Sequence, residues 1–411
     1  MLAQFNTYSP YTRFGLGDLA KPGLGQNLSM GGTGIAIHNN SRINYLNPAA
    51  FASIDSTSVF FDFGVNSFHN QYETANAKNT WWNMNLHHVT FASSMGKHLG
   101  FSAGIVPYSS VGYNIKQEYN DTQTGTALDI YNKGDGGILN FYVGTAMKFF
   151  DKISIGVTMN YLLGRLTREQ LAKLPAYKTW SAKSVQNLDL RQPVFSFGLQ
   201  YQETFDDRFF FCLGGTYDLE TRIRANTKTR IINTVYPYKR AHLNDSVIID
   251  PAYKLDEDTL MAPFTLPSKT GLGLAFGIPG KLTITADYYM QDWTGSLSGY
   301  NYSTTKASSI HFGAELIPNQ KALRGYHKFI AYRLGGYYSD YYLVVNGEQL
   351  KDYGITFGLG LPVKSMKTSL NVSFTLGTRG TTDFNLVKEN YGIITFNVTL
   401  HDLWFRKRKF D

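Results

Sequence analysis

Two imidazoles stand side by side at His87-His88, the first place to look for metal chemistry in this chain. They fall in a segment that reads as a β-strand, where neighbouring side chains point to opposite faces, so the pair is not expected to chelate one ion. The nine histidines, the single Cys212 and the scattered carboxylates show no metal-ligand spacing, and no Gly-x-Ser-x-Gly nucleophile elbow occurs. The acidic stretch Asp245 to Asp258 has the donors for a divalent cation, but a solvated acidic loop explains it better. The expectation is a chain with no enzyme activity, no metal and no cofactor. Pro107 is the remaining residue of note, because it falls inside the strand-like segment Phe101 to Val111. Proline lacks the N–H that a ladder needs, so it marks either a break in pairing or a bulge.

The elements around these residues are written in a period of two. In the last segment Ile394, Phe396, Val398 and Leu400 are apolar and Thr395, Asn397, Thr399 and His401 are polar, the mark of a strand with two unlike faces. Charged residues are only 17% of the 411 residues and aromatics reach 15%, whereas soluble domains carry about 25% charge. Mean hydropathy is nevertheless slightly negative at -0.23. No stretch approaches the roughly 18 consecutive apolar residues of a membrane helix. Low charge, abundant Tyr, Phe and Gly, and alternating segments together fit a transmembrane β-barrel, in which lipid-facing residues alternate with lumen-facing ones.

About fourteen alternating segments can be counted. The clearest are Val59 to Val65, Phe209 to Leu213, Leu282 to Met290, Tyr353 to Leu359, Leu370 to Leu376 and Ile394 to Leu400. Noisier ones run from Met84 to Ala92, Phe101 to Val111, Leu139 to Lys148, Ile153 to Tyr161, Val194 to Tyr201, Leu272 to Phe276, Ser308 to Leu316 and Phe329 to Tyr337. Their connections alternate between short turns, such as Met95 to His98 and Phe149 to Lys152, and long polar links, of which Tyr119 to Gly136, Leu166 to Asp189 and Glu220 to Pro263 are the longest. Short periplasmic turns and long outer loops are the habit of outer-membrane barrels, which places both chain ends on the periplasmic side. One connection on the short side, Pro318 to Lys328, is longer than its peers. Trp81, Trp82, Trp293, Trp404 and Tyr341-Tyr342 lie near strand ends, where interfacial aromatic girdles are expected.

Three units follow: residues 1-55 as an N-terminal hatch without alternation, 56-405 as the barrel, and 406-411 as a basic periplasmic tail. Met1-Leu2-Ala3-Gln4 has the form of a leader remnant, which predicts a mature or trimmed chain. Arg406-Lys407-Arg408-Lys409 supplies four of the net +8 charges, so the basic balance points to a solvated tail rather than to nucleic acid.

Ahead of the first strand, Gly31-Gly32-Thr33-Gly34 is followed by Asn47-Pro48-Ala49-Ala50. This pair of motifs, with the strand count and loop order, resembles the FadL/TodX long-chain fatty-acid transporter family of outer-membrane proteins over essentially the whole chain. The resemblance implies an all-β, 14-stranded antiparallel transmembrane β-barrel whose lumen is plugged by the N-terminal hatch. It further implies a ligand path at Gly31, Gly32, Asn47, Pro48 and Ala49 and a lateral opening at Pro107. The chain departs from the family in showing no match for the charged residues that hold a fatty-acid carboxylate; Arg165, Arg191 and Arg333 are candidates as charges at or near strands, although charges inside such barrels are also ordinary lumen features. Turn chemistry alone also explains Pro48 after Asn47. The end of the chain departs from the family pattern, running on past Trp404-Phe405 into the tail.

Two functions are expected from this. The first is an outer-membrane transporter that passes long-chain fatty acid-like molecules by passive diffusion through the hatch and a side opening into outer-membrane lipid. The second is a FadL-like scaffold of the PorV type, a partner subunit of a secretion or assembly complex. Transport needs a continuous apolar cavity from the outer loops to the hatch; a scaffold tolerates a packed, polar lumen.

Overall fold

A computed structural model describes residues 7–404 except 76, 121–126, 174–180, 207, 235–253, 300–301, 321, 323 and 366. The leader-like Met1-Leu2-Ala3-Gln4, the tail 406–411 and most of the acidic stretch from Asp245 lie outside the described residues. Fourteen antiparallel strands close into one barrel. They are β1 (Ser58–Glu73), β2 (Lys78–Ser94), β3 (Leu99–Asn120), β4 (Ala127–Phe149), β5 (Ile153–Lys173), β6 (Ser181–Phe205), β7 (Phe209–Asp218 continued by Thr221–Thr234) and β8 (Lys254–Leu266 continued by Lys269–Ile278). The ring goes on through β9 (Leu282–Asp292), β10 (Lys306–Leu316), β11 (Ala331–Val345), β12 (Glu348–Ser365), β13 (Thr368–Arg379) and β14 (Lys388–Leu403). The seam is β14 against β1, in register from Leu403↔Ser58 to Lys388↔Glu73, which leaves no free edge there.

The alternation resolves into two faces of opposite character. Phe374 and Leu376 of β13 and Phe396, Val398 and Leu400 of β14 point outward and are exposed, while Ser373, Thr375, Thr395, Asn397 and Thr399 are buried inside. An apolar outside around a polar inside is the inverse of a soluble domain and matches a lipid-facing wall. Among the long links, strand pairing continues well beyond the alternating segments. β3 and β4 stay paired to Asn120↔Ala127, and β5 and β6 to Lys173↔Ser181. The long outer links expected at Tyr119 to Gly136 and Leu166 to Asp189 are therefore largely hairpin extensions of the wall. Above the membrane both faces of a strand meet water or loops, so the alternation that reveals the membrane part fades.

The hatch lies inside the lumen. Pro10–Arg13 and Pro48–Ser53 are 3-10 turns and Gly25–Leu28 is a single helical turn. Small lumen-facing residues leave the space it needs: a Cβ at Gly156 would lie 2.4 Å from the Pro48 carbonyl carbon, and one at Gly198 2.1 Å from Asn47 Oδ1. From the hatch side, Gly31 has φ +71, and a Cβ there would meet the Phe312 and Gly336 carbonyl oxygens at 2.5 and 2.6 Å, so only glycine fits.

Three aromatic placements differ from the expected girdle. Trp82 and Trp404 are exposed, but Trp293, Tyr341 and Tyr342 are buried in a cluster at the long-loop end. His87 and His88 also depart from expectation. The β1–β2 register slips between Gly64 and Val65, which adds one residue to β2, and both imidazoles turn inward. Their Nδ1 atoms lie 2.7 Å apart, and His88 Nε2 lies 2.5 Å from Asp62 Oδ1.

Candidate functional site

The wall is interrupted where Pro107 predicts trouble. Pairing of β2 with β3 runs from Ser94↔Gly100 to Val89↔Ile105 and stops two residues before the proline. On the other side, pairing with β4 jumps from Pro107↔Leu139 to Ser109↔Ile138, with Tyr108 as the extra residue. A residue without an N–H cannot donate to either neighbour, and the ladder reorganises around it. The hatch takes up part of the edge that β3 thereby frees. Asp18 and Leu19 pair with Ser110 and Ser109, Ala20 N–H donates to Tyr108 O at 2.9 Å, and Ser9 N–H to Gly112 O at 2.9 Å. Tyr8 spans the interruption, its ring stacked on Trp81 of β2 and its hydroxyl donating to Asn114 O of β3.

Behind the interruption lies a cavity of about 380 Å³ lined by Leu86, His87, Pro107, Ser109, Leu139 and Asn66 among others. It shares Lys21, Leu28, Pro107 and Arg379 with a second cavity of about 310 Å³ in the middle of the lumen. The shared wall is charged. Asp352 accepts from Lys21 Nζ at 2.9 Å, from Arg379 at 3.1 Å and from the Tyr391 hydroxyl, and Arg379 also reaches Asp18 Oδ1 at 2.8 Å. Tyr391 and Tyr337 hydroxyls are 2.5 Å apart, and Glu389 accepts from Ser9. Burial lowers the proton affinity of Lys21, but Asp352 beside it more than compensates, so its ammonium is held charged. The middle of the lumen is thus a network of paired charges rather than an apolar channel.

The long-loop end is apolar but packed by the chain's own hatch. Tyr11, Phe14 and Leu16 are buried among Ile138, Leu162, Trp293, Tyr342 and their neighbours. Tyr342 hydroxyl donates to Gly17 O at 3.0 Å and accepts from Leu16 N–H at 3.2 Å. Nothing in the sequence signalled this arm beyond three apolar residues in a Gly-rich run.

Asn47 is fully buried. Its Oδ1 accepts from Ala49 N–H at 3.0 Å, capping the 3-10 turn that Pro48 begins, and its Nδ2 donates to Ile35 O at 2.8 Å and Leu199 O at 3.2 Å. Gly31 N–H donates to Thr356 Oγ1 at 2.8 Å. Gly31, Gly32 and Pro48 border the central cavity, whereas Ala49 is packed against the wall.

The three candidate arginines are not brought together. Arg165 is exposed and paired across strands with Asp189 at 2.5 Å. Arg191 is exposed on the β6 wall. Arg333 alone is in the lumen, near the short-turn end, where its Nε donates to Glu315 at 2.7 Å and its NH1 to Asn371 at 2.9 Å. Glu315 also takes Arg42 of the hatch. Charges that do converge on the cavities, among them Lys21, Asp352, Arg379 and Glu389, escaped sequence reading; for those on strands, a charged residue at an inward position of an alternating segment was the available signal.

A family model for BamG matches residues 1–411, the whole chain. The chain belongs to the BamG family. No curated protein matches it. Solved structures similar to this BamG-family chain include a FadL homologue and transporters of aromatic hydrocarbons. A Pseudomonas aeruginosa FadL homologue superposes with a TM-score of 0.61 at 12% identity, over 94% of this chain and 100% of that one. The P. putida toluene transporter TodX gives 0.59 at 15% identity, over 93% and 98%. The CymD monoaromatic hydrocarbon channel gives 0.57 at 12% identity, over 94% and 98%. At these identities the likeness is one of fold: a FadL-like barrel of outer-membrane type.

Proposed function

We propose that this chain is a partner subunit of an outer-membrane assembly complex, the Bam complex to which its family's name refers, and that it is not primarily a conduit for hydrophobic molecules. The observation that carries this reading is a lumen obstructed at two levels. A path from the outer loops to the hatch would have to cross the cluster that Tyr11, Phe14 and Leu16 fill and then the network around Asp352. Moving an apolar chain past paired, buried charges breaks those pairs and costs several kcal/mol for each. The hatch is bonded into the wall at both ends of the lumen, through Asn47 at β6 and through Ser9 and Asp18 at β3. Such a plug suits a rigid body that presents surfaces to a partner.

A second reading keeps the transport role of TodX and CymD. The cavity of about 380 Å³ beside Pro107 supports it, since that is where an amphiphile would reach the bilayer. Gly31, Gly32, Asn47, Pro48, Ala49 and Pro107 remain the residues through which such a path would pass. Purification from cross-linked native outer membranes in mild detergent, with mass spectrometry of both proteins and extracted lipids, separates the two. Stoichiometric assembly-complex subunits with no retained fatty acid are expected. A stoichiometric hydrophobic ligand without protein partners would overturn the proposal.

A further inference from the structure

The connection Pro318 to Lys328 is on the short-turn side yet longer than its peers, and neither reading above uses it. It carries Lys321, Arg324, His327 and Lys328 with no acidic residue. The described part folds back on itself, with Asn319 N–H donating to Lys328 O at 2.9 Å and a 3-10 turn at Tyr326–Lys328. Arg324 and Lys328 are exposed. Beside this connection, between the underside of the hatch and the wall, is a pocket of about 100 Å³. Its lining brings together Arg42 from the hatch, Lys281 from the β8–β9 turn and Arg333 from β11, against Glu315 as the single carboxylate among the described lining residues. Glu315 already serves both arginines, accepting from Arg333 Nε at 2.7 Å and from Arg42. Gln320 of the long connection and Gly280 of the neighbouring turn complete the rim.

We infer that this pocket and the basic connection beside it form a docking site for an acidic segment of a partner protein, one carboxylate of which seats between Arg42 and Lys281. Three cations around one carboxylate leave an excess of positive charge in a partly enclosed space, which an incoming carboxylate neutralises with charge-assisted hydrogen bonds. The volume suits one carboxylate rather than a chain. Arg324 and Lys328 outside it supply the field that steers an acidic strand or loop toward the mouth. A protein segment fits better than an anionic lipid headgroup, because the pocket is lined by hatch residues and by buried wall residues such as Glu315 and Arg333, not by lipid-facing ones. This inference rests on the partner-subunit reading and names the chemistry of the partner's contact.

The test uses the full-length protein in detergent and a synthetic peptide of six glutamates with a free C-terminus, with its all-glutamine counterpart as control. The triple variant Lys281→Glu, Arg324→Glu and Lys328→Glu alters exposed residues, and the heat-dependent gel mobility of the barrel reports that it still folds. Arg42→Gln is the second variant. Expected results are binding of the glutamate peptide only, a steep loss with added salt, and at least about tenfold weaker binding by the triple variant. Equal binding of both peptides, unchanged binding by the folded triple variant, or binding of anionic vesicles in place of the peptide would each overturn the inference. If the triple variant still purifies with the assembly complex, the docking site is wrong while the partner-subunit reading stands. If the native protein purifies without that complex, the partner-subunit reading fails whatever the peptide does.

Discussion

The charge network around Asp352 makes a quantitative prediction about the hatch. Asp352 is buried and accepts from Lys21, Arg379 and Tyr391, so it joins the hatch to β12, β13 and β14. Asp352→Asn keeps the shape and removes the charge. Arg379 keeps Asp18 at 2.8 Å, but Lys21 is left with the Tyr391 hydroxyl at 2.9 Å as its hydrogen-bond partner. Breaking a buried pair from one side costs about 3–5 kcal/mol, and the surviving Asp18 contact places this case near the lower end, about 3 kcal/mol. At about 1.4 kcal/mol per decade, opening of the hatch becomes roughly 100-fold more populated. Hydrogen–deuterium exchange by mass spectrometry reads this directly, as faster exchange of backbone amides in residues 17–35 with little change in the outward-facing wall. Adding Lys21→Met removes the stranded ammonium and is expected to restore most of the protection, because replacing both members of a buried pair is close to neutral. Unchanged exchange in Asp352→Asn, or no recovery in the double variant, would refute the assignment of this network as a tie between hatch and wall.

Three further outcomes follow from the hatch geometry. Asn47→Ala removes the cap on Pro48–Ser53 and leaves Ile35 O and Leu199 O without that donor, so the hatch should lose about 2 kcal/mol of local stability, seen as faster exchange around residue 48. Gly31→Val forces a left-handed β-branched residue against two wall carbonyls, and should yield a barrel whose residues 25–35 become accessible to protease while the wall remains resistant. Burial pushes His38 down to about 4, with Gln200 pulling the other way. Its neutral form is therefore the one that fits the folded hatch, and the stability it contributes is fully present above the unfolded value near 6.5 and is lost as pH falls toward 4. Hatch exchange should thus accelerate between those values in the native protein and lose that component in His38→Gln; identical pH profiles would sink the assignment.

The wall was legible in the sequence and the contents of the lumen were not. Each of the fourteen alternating segments lies wholly or mainly within a strand, because lipid on one side and polar lumen on the other impose opposite demands on neighbouring residues. That demand ends at the membrane surface, so the polar extensions of β3 through β6 read as loops. The His87-His88 bulge was hidden because one added residue changes which side chains face inward without changing composition. Trp293, Tyr341 and Tyr342 look like girdle residues in sequence and differ only in which way they point. The break in pairing at Pro107 was readable, since its missing N–H has the same consequence in any closed wall. What fills the space behind it depends on contacts across more than 300 residues, such as Lys21 with Asp352 and Ser9 with Glu389, and no local pattern encodes those.

The partner-subunit role proposed for this FadL-type barrel is decided by depleting the chain in its native cell and quantifying the outer-membrane proteome. A fall in many β-barrel proteins, with uptake of fatty acids and monoaromatic compounds unchanged for the barrels that remain, is the predicted result. An intact outer-membrane proteome together with a selective loss of hydrophobic-compound uptake would contradict it.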